Sequence, residues 1–131
     1  MNSSTRIVKE RVARSAIAEF FKVVQAWHLQ DSEARQLLDV PRGEFSLLKR
    51  GEKQTLGSDK VARITLLVAI YKGLNILYSR PQADQWVRLR NSNLMFNGDS
   101  PLKYMINGGA DALVNVQQLL GIWSGYSPMQ R

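Results

Sequence analysis

Residues Asp31 to Gly51 read DSEARQLLDVPRGEFSLLKRG, and their spacing decides how the first half of the chain folds. Ala34, Leu37 and Leu38 fall on one face of a short helix that begins after Asp31 or Ser32. Asp39-Val40-Pro41 breaks that helix, because the residue before a proline disfavours the α region. Pro41 can then sit in the first turn of a further helix, which carries Phe45 and Leu48 inward until Gly51 stops it. Two short helices joined by a tight turn form the helix-turn-helix arrangement.

Helical spacing continues on both sides. Upstream, Ser3, Ser4 and Thr5 are candidate N-caps, and Ala13, Ala16, Ile17, Phe20, Val24 and Trp27 recur at three- and four-residue steps. Downstream, Gly51 to Gly57 is a polar connection, after which Ser58 or Asp59 caps a long helix. That helix places Val61, Ile64, Leu67, Val68, Tyr71 and Leu74 on one face. Another helix starts near Pro81 and carries Ala83, Trp86 and Leu89; residues 91–99 form a loop, and two more helices cover about 100–107 and 110–124. Strict alternation and hairpin turns are absent. The expected fold is all-α, with a helix-turn-helix-like bundle over residues 1–80 and a C-terminal helical domain over 81–131.

Composition narrows the function classes. The 131 residues are 44% apolar, which argues against wholesale disorder, and lack cysteine, which suits a reducing cytosol. No apolar run nears the roughly 20 residues of a membrane span, so a cytoplasmic protein with no membrane partner is expected. Formal charge is +7; residues 1–80 hold 14 Lys/Arg against 8 Asp/Glu, and residues 81–131 hold 4 against 3. A basic half beside a near-neutral half points to a polyanion for the first and a different partner for the second, the plain alternative being a solvated basic surface. No paired acid and base, nucleophile–base pair or phosphate-cradling glycine loop is visible, and His28 is the single histidine. No enzymatic activity, cofactor or metal is expected.

A helix-turn-helix reads DNA by laying its second helix in the major groove while flanking cations hold phosphates. On a helix starting near Pro41, Arg42, Gly43, Ser46 and Lys49 point outward, with Arg50, Lys53 and Lys60 at the rim. The candidate DNA contacts are therefore Arg42, Ser46, Lys49, Arg50, Lys53 and Lys60. Three residues weigh against them. Asp39 stands where a turn glycine is usual, Gly43 weakens its helix by about 1 kcal/mol relative to alanine, and Glu44 repels phosphate unless it faces a cytosine amino group. Two short helices that merely complete a bundle are the structural alternative.

In the second half, Asn93 to Met105 reads NLMFNGDSPLKYM. Ser100 can accept open amides at a helix start, Pro101 has its φ preset for the first helical position, and Asp99 sits at the positive dipole end. Leu102, Met105 and Ile106 give a buried face, Asn107-Gly108-Gly109 ends it, and Ala110, Leu113, Val116, Gln117, Leu120 and Trp123 carry a last helix to Gly125. On the residues alone this is a helical hairpin.

The run from Ala83 to Trp86, then NSNLMFNGDSPLKYMINGG, then Val116 to Gly125, resembles the C-terminal domain of the MbcA/ParS/Xre antitoxin family. Trp86, Asn91 or Asn93, Phe96, Gly98, Ser100, Pro101, Leu102, Gly108, Leu120 and Gly125 carry the resemblance, and a helix-turn-helix-like segment precedes it in that family as here. The resemblance implies a homodimeric antitoxin of a two-gene module. Its partner would be a RES-domain or ParT-like toxin that consumes NAD or transfers ADP-ribose from it, and the antitoxin would cover the toxin's NAD pocket. Promoter DNA would be a second partner. The expected toxin contacts are Trp123, Tyr126, Met129 and Arg131 in the tail, with Asn93 in the loop. A helix-turn-helix regulator without a toxin is the alternative function.

Overall fold

The computed structural model describes residues 3–121 and holds helices α1 (Ser3–Ala26), α2 (Asp31–Leu38), α3 (Arg42–Lys49), α4 (Ser58–Leu77), α5 (Arg80–Trp86) and α6 (Pro101–Leu119), with a 3-10 turn at Leu94–Phe96. No strand occurs among the described residues, so the fold is all-α as the periodicity indicated. Two compact units comprise residues 1–65 and 66–131, and the division falls inside α4. Pro81, where the sequence suggests the seam, lies in the first turn of α5. Divided by units, the charge is nearly even: 12 Lys/Arg against 8 Asp/Glu in residues 1–65, and 6 against 3 in residues 66–131.

In the first unit, α1 buries Ala13, Ile17, Phe20 and Val23, Trp27 just beyond it is buried too, α2 buries Ala34, Leu37 and Leu38, and α3 buries Phe45 and Leu48. Phe21 and Phe45 approach with ring centroids 5.8 Å apart. The start of α1 is different: residues 4–12 are all exposed. Three chain reversals after helices use left-handed residues. His28 has φ 54°, and the Leu29 amide donates to the Val24 carbonyl at 3.0 Å; Asp39 has φ 62°, and Gly51 has φ 77°. Such a residue lets the following amide reach back to carbonyls the helix leaves open. The single histidine therefore serves as a helix terminator.

Asp39 corrects an expectation. Its replacement of the usual turn glycine leaves the turn geometry intact, because aspartate tolerates the left-handed region better than most side chains. Its own amide donates to the Arg35 carbonyl at 2.7 Å, and its carboxylate lies 3.3 Å from Lys60 Nζ and 3.8 Å from the Arg63 guanidinium. Arg63 also donates to the Leu37 carbonyl at 3.2 Å. The turn between α2 and α3 is thus held from both sides.

In the second unit, the core takes Leu67, Ile70 and Leu74 from α4, Ala83 from α5, Val87, Phe96, and Leu102, Met105, Ala112, Leu113 and Val116 from α6. Two helix ends differ from the sequence reading. Helix α5 stops at Trp86, so Val87 takes the buried place and Leu89, expected inward, is 58% exposed. The Val87 carbonyl instead accepts from the Leu102 amide at 2.8 Å. The two helices expected after Ser100 are present, and α6 spans both: they meet at a kink at Gly109, whose φ of 67° and ψ of −148° suit only glycine. Helix α6 closes at Leu119, ahead of the expected residue 124, with Gly121 at φ 72°.

Candidate functional site

Each unit offers one candidate surface. In the first unit, α3 presents Arg42, Gly43, Ser46, Leu47 and Lys49 to solvent, and Arg50 at its C-cap is exposed beside them. The hydrophobic spacing that buries Phe45 and Leu48 fixes this face, as expected. Leu47, which the sequence reading did not single out, is 38% exposed there.

The structure adds carboxylates to the expected cations. Lys49 Nζ lies 2.8 and 3.0 Å from the two oxygens of Asp31, which belongs to α2. Arg50 pairs with Glu52 at 3.0 Å, Lys53 with Glu44 at 3.9 Å, and Lys60 with Asp39 at 3.3 Å. Lys60 and Lys53 are half-buried, and Lys60 serves the turn more directly than the outer face. The exposed pairs Lys49–Asp31 and Arg50–Glu52 are worth about 0–1 kcal/mol each, so an incoming phosphate could replace either carboxylate at small cost. Glu44, a worry from sequence, is turned toward Lys53. Between the starts of α2 and α3 lies an opening of about 250 Å³ lined by Asp31, Ser32, Arg35, Arg42, Phe45 and Ser46.

In the second unit, the loop after α5 is built by its asparagines. The Asn91 side chain accepts from the Asn93 amide at 2.9 Å, and the Asn93 side chain accepts from the Met95 amide at 2.8 Å. Asn93, expected to touch a partner, thus uses its carbonyl oxygen to start the 3-10 turn. Asn97 and Gly98 both have positive φ, 51° and 86°, and the Asp99 amide closes their turn onto the Phe96 carbonyl at 2.9 Å. Asparagine followed by glycine is the pair such a turn favours. The Asn91 amide donates to the Asp99 carbonyl at 3.3 Å, which ties the loop's ends together.

Phe96 is the pin of this loop. It is 1% exposed and meets the rings of Trp86 and Tyr104 edge-on, with centroids 6.0 and 5.2 Å away. Ser100 then caps α6 by accepting from the Lys103 amide at 3.2 Å, with Pro101 beside it, as expected. With Phe96 turned inward, the 3-10 turn leaves Leu94 outward at 94% exposure. In the sequence Leu94 carries one signal only, an apolar pair, Leu94-Met95, inside a polar loop. Beside the turn lies a cleft of about 400 Å³ lined by residues that include Met95, Phe96, Asp99, Tyr104, Asp111 and Asn115. The Asn115 amide donates to the Tyr104 hydroxyl at 2.9 Å across the Gly109 break.

Trp123, Tyr126, Met129 and Arg131, the expected tail contacts, lie outside the described residues. No described helix is long and apolar enough to cross a membrane. No family model matches the chain. Over 108 residues it is 32% identical to the uncharacterized protein y4oB of Sinorhizobium fredii, a match spanning 81% of each chain. Identity at that level over most of both chains is the mark of common descent, and this chain belongs to the family of y4oB.

Proposed function

We propose that this protein is the cytoplasmic antitoxin of a type II toxin–antitoxin module, a binding protein that neutralises a RES-domain or ParT-like toxin by covering its NAD pocket. The observation that carries the reading is the joint behaviour of the residues behind the resemblance. Trp86, Asn91, Asn93, Phe96, Gly98, Ser100 and Leu102 build a single pinned loop and helix start, and that loop holds out Leu94. A loop ordered before binding loses less entropy on association than a free one, and an exposed aliphatic anchor gains from desolvation in a partner's pocket. The tail residues Trp123, Tyr126, Met129 and Arg131 would extend this contact.

Promoter binding by the first unit is the second part of the proposal. The α2–Asp39–α3 turn supports it, because the left-handed turn that positions a recognition helix is present despite the missing glycine. Homodimerisation would place two such helices on one operator. The start of α1 supports a dimer contact: Val8 and Val12 line a groove of about 340 Å³ with Leu56 and Val61, and both are about half exposed.

The test is expression of the neighbouring reading frame's product with and without this chain. Growth arrest by that product alone, relieved by this chain, together with co-purification of the two, supports the antitoxin. Growth arrest that this chain does not relieve, or a neighbour without toxicity, removes the antitoxin reading. Operator retention in a gel would then leave the regulator as the standing function.

A further inference from the structure

We propose that the opening between the starts of α2 and α3 is a seat for one backbone phosphate of duplex DNA, and that Asp31, locked onto Lys49, is the residue that limits its occupancy. The inference rests on the DNA-binding part of the reading above.

Three observations converge on that place. The residues lining the opening include Ser32, Arg35, Arg42 and Ser46, whose side chains carry two guanidiniums and two hydroxyls, the kinds of donor a phosphate oxygen needs. Arg35 spends one guanidinium N–H on the Val40 carbonyl at 3.2 Å, which fixes the group while leaving donors over. Arg42 is exposed and makes no ion pair among the described residues, in contrast to the four cations that follow it.

The sixth wall is the anion Asp31. Its carboxylate grips Lys49 with both oxygens across eighteen positions of sequence, joining the first residue of α2 to the last of α3. It also stands at the positive end of the α2 dipole, where an anion is favoured. Asp31 therefore occupies the charge position that a phosphate would take: it satisfies Lys49 and the helix start, and it repels a second anion in the opening. For DNA to use the seat fully, Lys49 must exchange the carboxylate for a phosphate oxygen. Such a device sets a low basal affinity for any duplex, so that retention depends more on the base contacts of α3.

The experiment measures binding of the full chain to a labelled mixed-sequence duplex by fluorescence anisotropy across 50 to 200 mM salt, as an order-of-magnitude range in which phosphate contacts dominate. D31N is expected to tighten binding roughly two- to fivefold, the scale of one exposed ion pair, and to steepen the slope of log K against log salt by about 1. R42A is expected to weaken binding and make the slope shallower by about 1. K49A should cost little in the native background and more in the D31N background, where the ammonium is released. E10Q makes the same charge change on α1 and should leave the slope unchanged.

If wild type binds duplex and D31N matches it in affinity and slope, the seat is refuted while DNA binding stands. An equal gain from E10Q refutes it as well, because net charge alone would then explain the change. If neither wild type nor D31N binds at the lowest salt, the DNA-binding reading falls and the seat goes with it. D31S, which keeps a residue suited to a helix start, asks the same question if the amide loosens α2.

Discussion

Replacing Phe96 by alanine should dismantle the loop of the second unit while sparing the first. The ring is 1% exposed and stands edge-on to both Trp86 and Tyr104. Truncating a buried phenylalanine costs about 3–5 kcal/mol through lost transfer energy and the cavity left behind. Each edge-on aromatic pair contributes roughly 0.5–1.5 kcal/mol within that figure. Set against a typical domain stability of about 5–15 kcal/mol, the loss is a large share. In urea, with a slope near 1–3 kcal/mol per M, the unfolding midpoint of the second unit should drop by more than about 1 M. Circular dichroism gives the midpoint, and amide exchange locates the damage. Exchange at Met95, Asn97, Asp99 and Leu102, whose amides close the loop, should accelerate, whereas exchange at Ala34 and Phe45 should stay close to wild type. F96L, which keeps most of the buried volume, should lose less than half as much. A midpoint shift of F96A below about 0.3 M, or unchanged protection of those four amides, would refute the idea that Phe96 pins the loop.

Other substitutions probe separate joints. D39V should cost about 1–2 kcal/mol in thermal or urea unfolding, since a β-branched residue is forced to positive φ, whereas D39G should stay within about 1 kcal/mol because relief of that strain offsets the lost contacts to Lys60 and Arg63. S100A should cost about 1 kcal/mol by removing the cap of α6, measured by the same denaturation. Deleting residues 126–131 should leave the unfolding midpoint close to that of wild type and reduce protection against the toxin; full protection by the shortened chain would show that the tail is dispensable.

Much of this architecture was legible in the sequence. Three- and four-residue apolar spacing marked α1 to α4, and Ser100-Pro101 marked the start of α6, since caps and buried stripes are local features. Helix ends were harder. His28 and Asp39 end helices in a left-handed conformation without a glycine to announce it, so Asp39 read as a defect of the turn when it is a working part. Leu89 was placed inward because its spacing continues that of Ala83 and Trp86, but α5 gives out before reaching it. The charges on and after α3 read as free cations because their partners are set by the fold: Asp31 lies eighteen positions before Lys49, and Asp39 twenty-one before Lys60 of α4. The exposure of Leu94 follows from which way the 3-10 turn buries Phe96, and no spacing rule carries that information. The Asn-Gly pair and the two asparagines before it did mark a loop; that they also wire it together emerges only from the hydrogen bonds.

The most direct test of the central claim is growth of cells expressing the neighbouring gene's toxin together with wild type or L94D. Leu94 makes no contribution to the core, so L94D should fold with the same unfolding midpoint as wild type. The expected result is that wild type restores growth and binds the toxin, while L94D, equally abundant and folded, does neither. Equal rescue by both chains would contradict the claim that this loop engages the toxin, and failure of wild type to rescue growth would end the antitoxin reading altogether.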